Sequence, residues 1–384
     1  MTASDTSSLP RPRASGRHAA RRGARAVTRA VPGAPGGRDR YLDLLRVLAL
    51  VRVVTYHTFG WPWLSLAFPS LGVMFALAGS FMARSLEGPA LPVVRRRLRR
   101  LLPPLWCLGA VLVPAMLFHG WAPGEHHAAR WWARLLLWVV PVADPPGSAW
   151  AEQATGVLWY VRAYLWFVLL SPLLLRVFRR SPSATLVVSL VPIVLLQTVW
   201  SPPEGRAGSE VIDLATFLTC WLLGFAHRDG LLDRVRAGLV LVLAALAMAA
   251  GAWWASSHRV DGSHDLNEIP LAQALWSAGL VLLLLRFRPC AGLVEPAGRI
   301  RPLDRLVRIV SARAVTVYLW HEVALMLSVP LIDLMWRVRA FELSLPLGST
   351  WFQFGVAWVL IAVAMLLPGL VEDLAAGRRP RLLP

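Results

Sequence analysis

The sequence predicts an all-α, polytopic membrane bundle of about ten helices, on three observations. First, 56% of the 384 residues are hydrophobic and the mean hydropathy is +0.54, above the roughly 45–50% apolar content usual in soluble domains. Second, the apolar residues gather into ten stretches of about membrane-spanning length, near 41–62, 66–83, 101–118, 157–175, 183–200, 210–226, 237–255, 269–286, 312–332 and 350–370. Third, the basic residues lie mainly between those stretches and on alternate connections. All 40 are Arg, against 22 Asp and Glu, for a net charge of +18 and a pI near 11.5. On a soluble chain that excess would point to nucleic acid, but such binding needs a solvated basic face with few long apolar runs. The apolar runs exclude it.

Taken in chain order, residues 1–40 hold nine Arg, two Asp and many Ala, Gly, Pro and Ser. Too little apolar surface is present to fold them, so a disordered, Arg-rich cytosolic tail is expected. With that tail inside, 31 Arg fall on the inner side, and only Arg130, Arg134, Arg206, Arg259, Arg337 and Arg339 fall outside. Basic residues near span ends resist translocation, so both termini are predicted cytosolic, with 41–370 as the membrane domain and 371–384 as a short cytosolic tail. Arg in every basic slot suggests a GC-rich bacterial genome, a codon signal, and the expected location is a bacterial plasma membrane. The long outer connection, 119–156, carries His119, His126, His127 and an apolar stretch at 131–142, expected to be re-entrant or interfacial. Cys107, Cys220 and Cys290 have unrelated spacings and read as small apolar packers. No metal site is expected.

Charges inside hydrocarbon are costly and mark function unless they sit near an end. Three spans carry them. The first has Asp43, Arg46, Arg52 and His57. Arg46 and His57 are eleven residues apart, hence on one helix face and about 16 Å apart along the axis. Asp43 and Arg46, at i and i+3, are spaced to pair, whereas Arg52 lies on another face with no evident partner. The fourth span places Tyr160 and Arg162 about one turn inside, where a long side chain can snorkel to the interface. The ninth places His321 and Glu322 near mid-membrane. Adjacent helix positions diverge by about 100°, so Glu322 should find its partner on another helix rather than in His321. Between the second and third spans, five of the six residues 95–100 are Arg. That cluster reads either as a topology and lipid-phosphate signal or as a clamp for a phosphorylated ligand.

Together these pieces resemble the acyltransferase 3 family of bacterial integral-membrane acyltransferases, over residues 38 to 370. The carriers are Arg46 and His57 with ten residues between them, the basic motif Arg96, Arg99 and Pro103, the run Phe75 to Phe81 with Gly79 and Ser80 exchanged relative to the family segment, and the segments 158–167 and 318–321. The resemblance implies transfer of an acyl group, usually acetyl, from cytosolic acyl-CoA to a hydroxyl of a carbohydrate, cell-envelope glycan or secondary metabolite. Acyl-CoA is then a co-substrate and no cofactor is needed. No appended extracellular domain is expected.

The residues suit that chemistry on their own terms. Guanidinium groups match the phosphates of CoA, assigning Arg96 and Arg99 to the donor. A histidine can take the proton of an attacking hydroxyl, making His57 the base, with Arg46 and Asp43 beside it in the catalytic set. An acyl-His57 intermediate is the alternative route. Arg162, Tyr160, His321 and Glu322 are candidates for acceptor binding or transition-state stabilisation. The rival functions are a proton-coupled transporter or flippase, which buried Arg, His and Glu would also suit, and a non-catalytic membrane scaffold.

Overall fold

The computed structural model describes residues 39–122, 128–200, 202, 205–260, 262–289 and 301–377. The expected disordered tail up to residue 38, His126, His127, Cys290 and the C-terminal residues 378–384 lie outside them. Among the described residues the chain is helical, with no strand. The helices are α1 (Arg40–Phe59), α2 (Trp63–Ala67), α3 (Ser70–Ser85), α4 (Ala90–Phe118), α5 (Ala128–Leu135), α6 (Glu152–Gly156), α7 (Trp159–Arg180), α8 (Pro182–Val188) and α9 (Val191–Thr198). There follow α10 (Arg206–Arg228), α11 (Leu231–Arg234), α12 (Ala237–Ser257), α13 (Pro270–Phe287), α14 (Arg301–Ala312), α15 (Ala314–Trp336), α16 (Arg339–Ser344), α17 (Thr350–Leu366) and α18 (Gly369–Ala375).

Among the described residues, eight helical segments are long and apolar enough to cross a membrane, which makes this a multi-pass membrane protein. Two of the ten expected stretches depart from that standard, each for its own reason. Helix α1 is long enough but holds Arg40, Asp43, Arg46, Arg52 and His57; it packs against α3, α14, α15 and α17, and Asp43 and Arg52 are buried. The stretch 183–200 is broken at Ser189 and Leu190 into α8 and α9, with Pro192 in the first turn of α9. Proline favours a helix start, and 17 residues of helix reach only about 25 Å, short of the hydrocarbon thickness.

The third stretch departs in the other direction. Helix α4 begins at Ala90, so the arginines at 95–100 continue the helix, consistent with the high helix propensity of Arg. At 29 residues it runs about 43 Å and carries the cluster beyond the apolar segment. The 131–142 stretch forms only the eight-residue α5 and a 3-10 turn at Leu136–Trp138, too short to span. Trp138 turns inward, donates its indole N–H to the Pro146 carbonyl at 3.0 Å and lies under Gly109.

Close helix packing rests on small residues, as expected where lipid removes the usual hydrophobic drive. Helices α3 and α10 touch backbone to backbone. A Cβ on Gly79 would sit 2.2 Å from the Trp221 carbonyl oxygen, and one on Gly224 would sit 2.1 Å from that of Ala76. Helix α12 buries Val240, Ala244, Gly251 and Ala255, one stripe of its surface, and leaves most of the rest exposed. Helix α1 starts with Asp39, whose carboxylate accepts from the Tyr41 N–H at 3.0 Å and from the Arg288 guanidinium at 2.5 Å. It stops at Gly60, whose φ of +63° is the left-handed turn a glycine permits. That stop leaves His57 in the last turn of α1.

Candidate active site

Helix α1 delivers His57 against the middle of α15, where His321 and Glu322 sit. Glu322 lies 5% exposed, and its Oε1 is 2.6 Å from His57 Nδ1. A carboxylate accepts here, so Nδ1 carries the proton and Nε2 of His57 is left with a lone pair. The His57 side chain is 34% exposed, so its ring is open on one side while Glu322 holds the other. The two histidine rings meet edge-on at 5.2 Å.

His321 is fully buried, and its Nδ1 lies 2.5 Å from the Tyr318 carbonyl. That carbonyl can only accept, so Nδ1 donates and Nε2 presents a lone pair. Tyr318 is pinned in turn by its hydroxyl, which donates to the Val157 carbonyl at 2.8 Å. Glu322 finds its partner on another helix, as the helical geometry requires. It also approaches its neighbour, with Oε1 3.6 Å from His321 Nε2. Divergence on the helix surface therefore did not keep the pair apart, because a three-bond side chain can turn back across its own turn.

At the far end of α1, Arg46 Nη1 donates to Ser311 Oγ at 2.9 Å, and Ser311 donates to Asp43 Oδ1 at 2.7 Å. Arg46 also lies 3.6 Å from Asp43 and stacks over Phe81. Arg46 is thus held by α14 and α3, separate from His57. Arg52 does have partners: its Nε donates to the Leu64 carbonyl at 3.3 Å and its guanidinium lies over the Tyr56 ring. Tyr56 in turn donates to Asp265 at 2.6 Å. This network clamps α1 to the segments around α2 and α13.

Arg162 does not snorkel. It is 1% exposed and its two terminal nitrogens bond Asp144 and Asp213, with Glu210 at 3.9 Å. A buried guanidinium needs such pairing, and the carboxylates come from the connection 119–156 and from α10. Sequence reasoning missed all three. Asp213 and Glu210 lie within the sixth apolar stretch, and an intramembrane carboxylate there was the available signal. Tyr160 stands between Phe75 and Tyr318, its ring 4.7 Å from each. Two further carboxylates, Glu372 and Asp373 of α18, secure the start of α15. Glu372 accepts from the Thr316 N–H and hydroxyl at 3.1 and 2.6 Å, and Asp373 accepts from Arg313 at 2.8 Å.

Within the arginine cluster, Arg95, Arg96 and Arg99 are exposed. Arg97 instead turns inward and donates to the Phe81 carbonyl at 2.9 Å and to Ser85 Oγ at 2.8 Å. Ser80, on the run that departs from the family segment, lies 3.0 Å from His227 Nδ1. One centre therefore holds His57, His321 and Glu322, with donor atoms all within 4.8 Å. Arg46 with Asp43, Arg162 with its carboxylates, and Arg96 with Arg99 occupy three other places.

A bundle of apolar helices around His57 and the buried His321 and Glu322 defines a membrane protein with a polar centre. A family profile described as an acyltransferase domain matches residues 39–368, and the chain belongs to that family. It is also similar to a protein of Komagataeibacter xylinus provisionally named membrane-bound transacylase BcsY, with 41% identity over 88 residues. That match spans 22% of this chain and 22% of the relative. No solved structure matches.

Proposed function

We propose that this protein is a membrane-bound O-acyltransferase. It moves an acyl group, acetyl in the simplest case, from cytosolic acyl-CoA to a hydroxyl of a carbohydrate, cell-envelope glycan or secondary metabolite. The observation that carries the reading is the His57 and Glu322 pair. A carboxylate fixes one ring nitrogen at 2.6 Å and leaves the other as a base, on a side chain that is 34% exposed. The acceptor hydroxyl gives its proton to His57 Nε2 as its oxygen attacks the thioester carbonyl carbon. The tetrahedral intermediate collapses by breaking the C–S bond, and the proton passes from His57 to the departing CoA thiolate. Glu322 keeps the ring oriented and stabilises the imidazolium formed in between.

The exposed Arg96 and Arg99 at the start of α4 suit the phosphates of the donor. Arg46, held by Ser311 and Asp43 and lying over Phe81, is separate from His57, and we assign it to the donor path. Arg162 is already engaged by Asp144 and Asp213, so we assign it to holding those carboxylates for an acceptor rather than to an oxyanion. At the end of α1, two residues past His57 in the chain, the ring of Phe59 packs with those of Trp61 and Trp351, the three within 6.0 Å of one another, an apolar wall suited to a sugar face.

The test is acyl transfer from labelled acyl-CoA by purified membranes. His57→Ala should abolish transfer while the protein still inserts. Normal transfer by that variant overturns the mechanism, and uptake of solute without any acyl transfer would make the protein a carrier.

A further inference from the structure

His321 Nε2 has no hydrogen-bond partner among the described residues although it is fully buried. It carries a lone pair, because Nδ1–H is committed to Tyr318, and it faces a second acceptor, Glu322 Oε1, at 3.6 Å. Two acceptors opposed in an apolar interior are unfavourable unless a positive centre lies between them. The third side of the same space is His57 Nδ1, 2.6 Å from Glu322 Oε1, and the three residues each offer a ligand atom within 4.8 Å of the others. Two imidazole nitrogens and a carboxylate oxygen form a donor set typical of Zn²⁺ sites that keep an open fourth position. The His321 N–H donated to a backbone carbonyl is the outer contact that orients a metal-binding histidine. The 34% exposure of His57 supplies an entry side.

We propose that His57, His321 and Glu322 form a binding site for a divalent transition metal of the Zn²⁺ type, and that the bound ion inhibits acyl transfer. The inhibition follows from the tautomer. In the active arrangement His57 carries its proton on Nδ1, toward Glu322, and offers Nε2 as the base. A metal on Nδ1 needs that lone pair, so the ring proton moves to Nε2 and the base is gone. Glu322 is consumed as a ligand at the same time. The proposal rests on His57 being the base only for its inhibitory half.

The experiment uses the full chain in detergent, stripped with chelator and titrated with Co²⁺ as a spectroscopic probe. One equivalent should give the visible bands of a four-coordinate site and be displaced by Zn²⁺. The bands should vanish in His321→Ala and in Glu322→Gln, and persist in a variant lacking the exposed His119 and His258. Zn²⁺ should raise the melting temperature of the wild type but not of His321→Ala, a comparison that exposes any misfolded variant. Saturating Zn²⁺ should lower transfer by about 100-fold, the lower bound for loss of a general base, and a chelator should restore it. Absent bands, or bands that survive His321→Ala and disappear with His119 and His258, overturn the site. Absent bands alongside a His57-dependent transfer overturn the metal site and leave the acyltransferase reading standing. Bands with undiminished transfer overturn the inhibition, and the role of His57 as base with it.

Discussion

Glu322→Gln isolates the contribution of the buried carboxylate to His57 without removing volume from α15. The native contact is a 2.6 Å hydrogen bond to a group 5% exposed, and it gains strength as His57 becomes an imidazolium. A hydrogen bond to a charged group contributes about 1.5–3 kcal/mol. The 34% exposure of His57 places this pair in the lower half of that range. At about 1.4 kcal/mol per tenfold in rate, the expected loss in kcat is roughly 10- to 30-fold. If the new amide turns its NH2 toward Nδ1, the ring proton shifts to Nε2 and the loss is larger, since the base is then removed outright. Donor KM should not change, because Arg96 and Arg99 belong to another part of the molecule. The assay is CoA release and labelled product formation over a range of acyl-CoA concentrations, with melting temperature recorded alongside. A kcat within twofold of wild type, from a variant of normal stability, would refute the assignment of Glu322 as the group that orients His57.

Other predictions concern the donor contact and the packing. Arg96→Ala and Arg99→Ala should each raise the KM for acyl-CoA a few-fold and weaken its salt dependence, with kcat retained; an unchanged KM returns these arginines to lipid contact. Arg162→Leu strands Asp144 and Asp213, and because these carboxylates are 31% and 25% exposed the cost falls below the about 3–5 kcal/mol of a fully buried pair; its melting temperature in detergent should fall and be partly recovered by adding Asp213→Asn. Gly224→Ala drives a Cβ to within 2.1 Å of the Ala76 carbonyl oxygen, so α3 and α10 must separate, at about 1–3 kcal/mol, read as a lower melting temperature. Gly238→Ala, where a Cβ meets nothing within 4 Å, should leave stability unchanged or slightly raised.

Where the apolar stretches lie was legible residue by residue, because hydrophobic length and the 3.6-residue period are local properties of the chain. The same locality explains the reach of the motif reading in α1. The spacing of Arg46 and His57 along one helix follows from helical rise alone, as does the closeness of Asp43 and Arg46. Proline and serine placement decided the break between α8 and α9, a local effect that hydrophobicity by itself does not register. What lies opposite a side chain is a different kind of fact. Glu322 against His57, Ser311 between Arg46 and Asp43, and Asp144 with Asp213 around Arg162 join residues far apart in sequence, and no periodicity names such partners. Arg162 shows the cost of that gap most plainly. From its span it reads as a side chain reaching for the interface, yet helix packing encloses it and supplies two carboxylates. The sequence determined which polar groups enter the membrane region, since each must be written into an apolar run. Only the tertiary structure decided which of them neutralise one another and which, like the open edge of His57 and the lone pair of His321, remain for chemistry, because burial and pairing are properties of several helices at once.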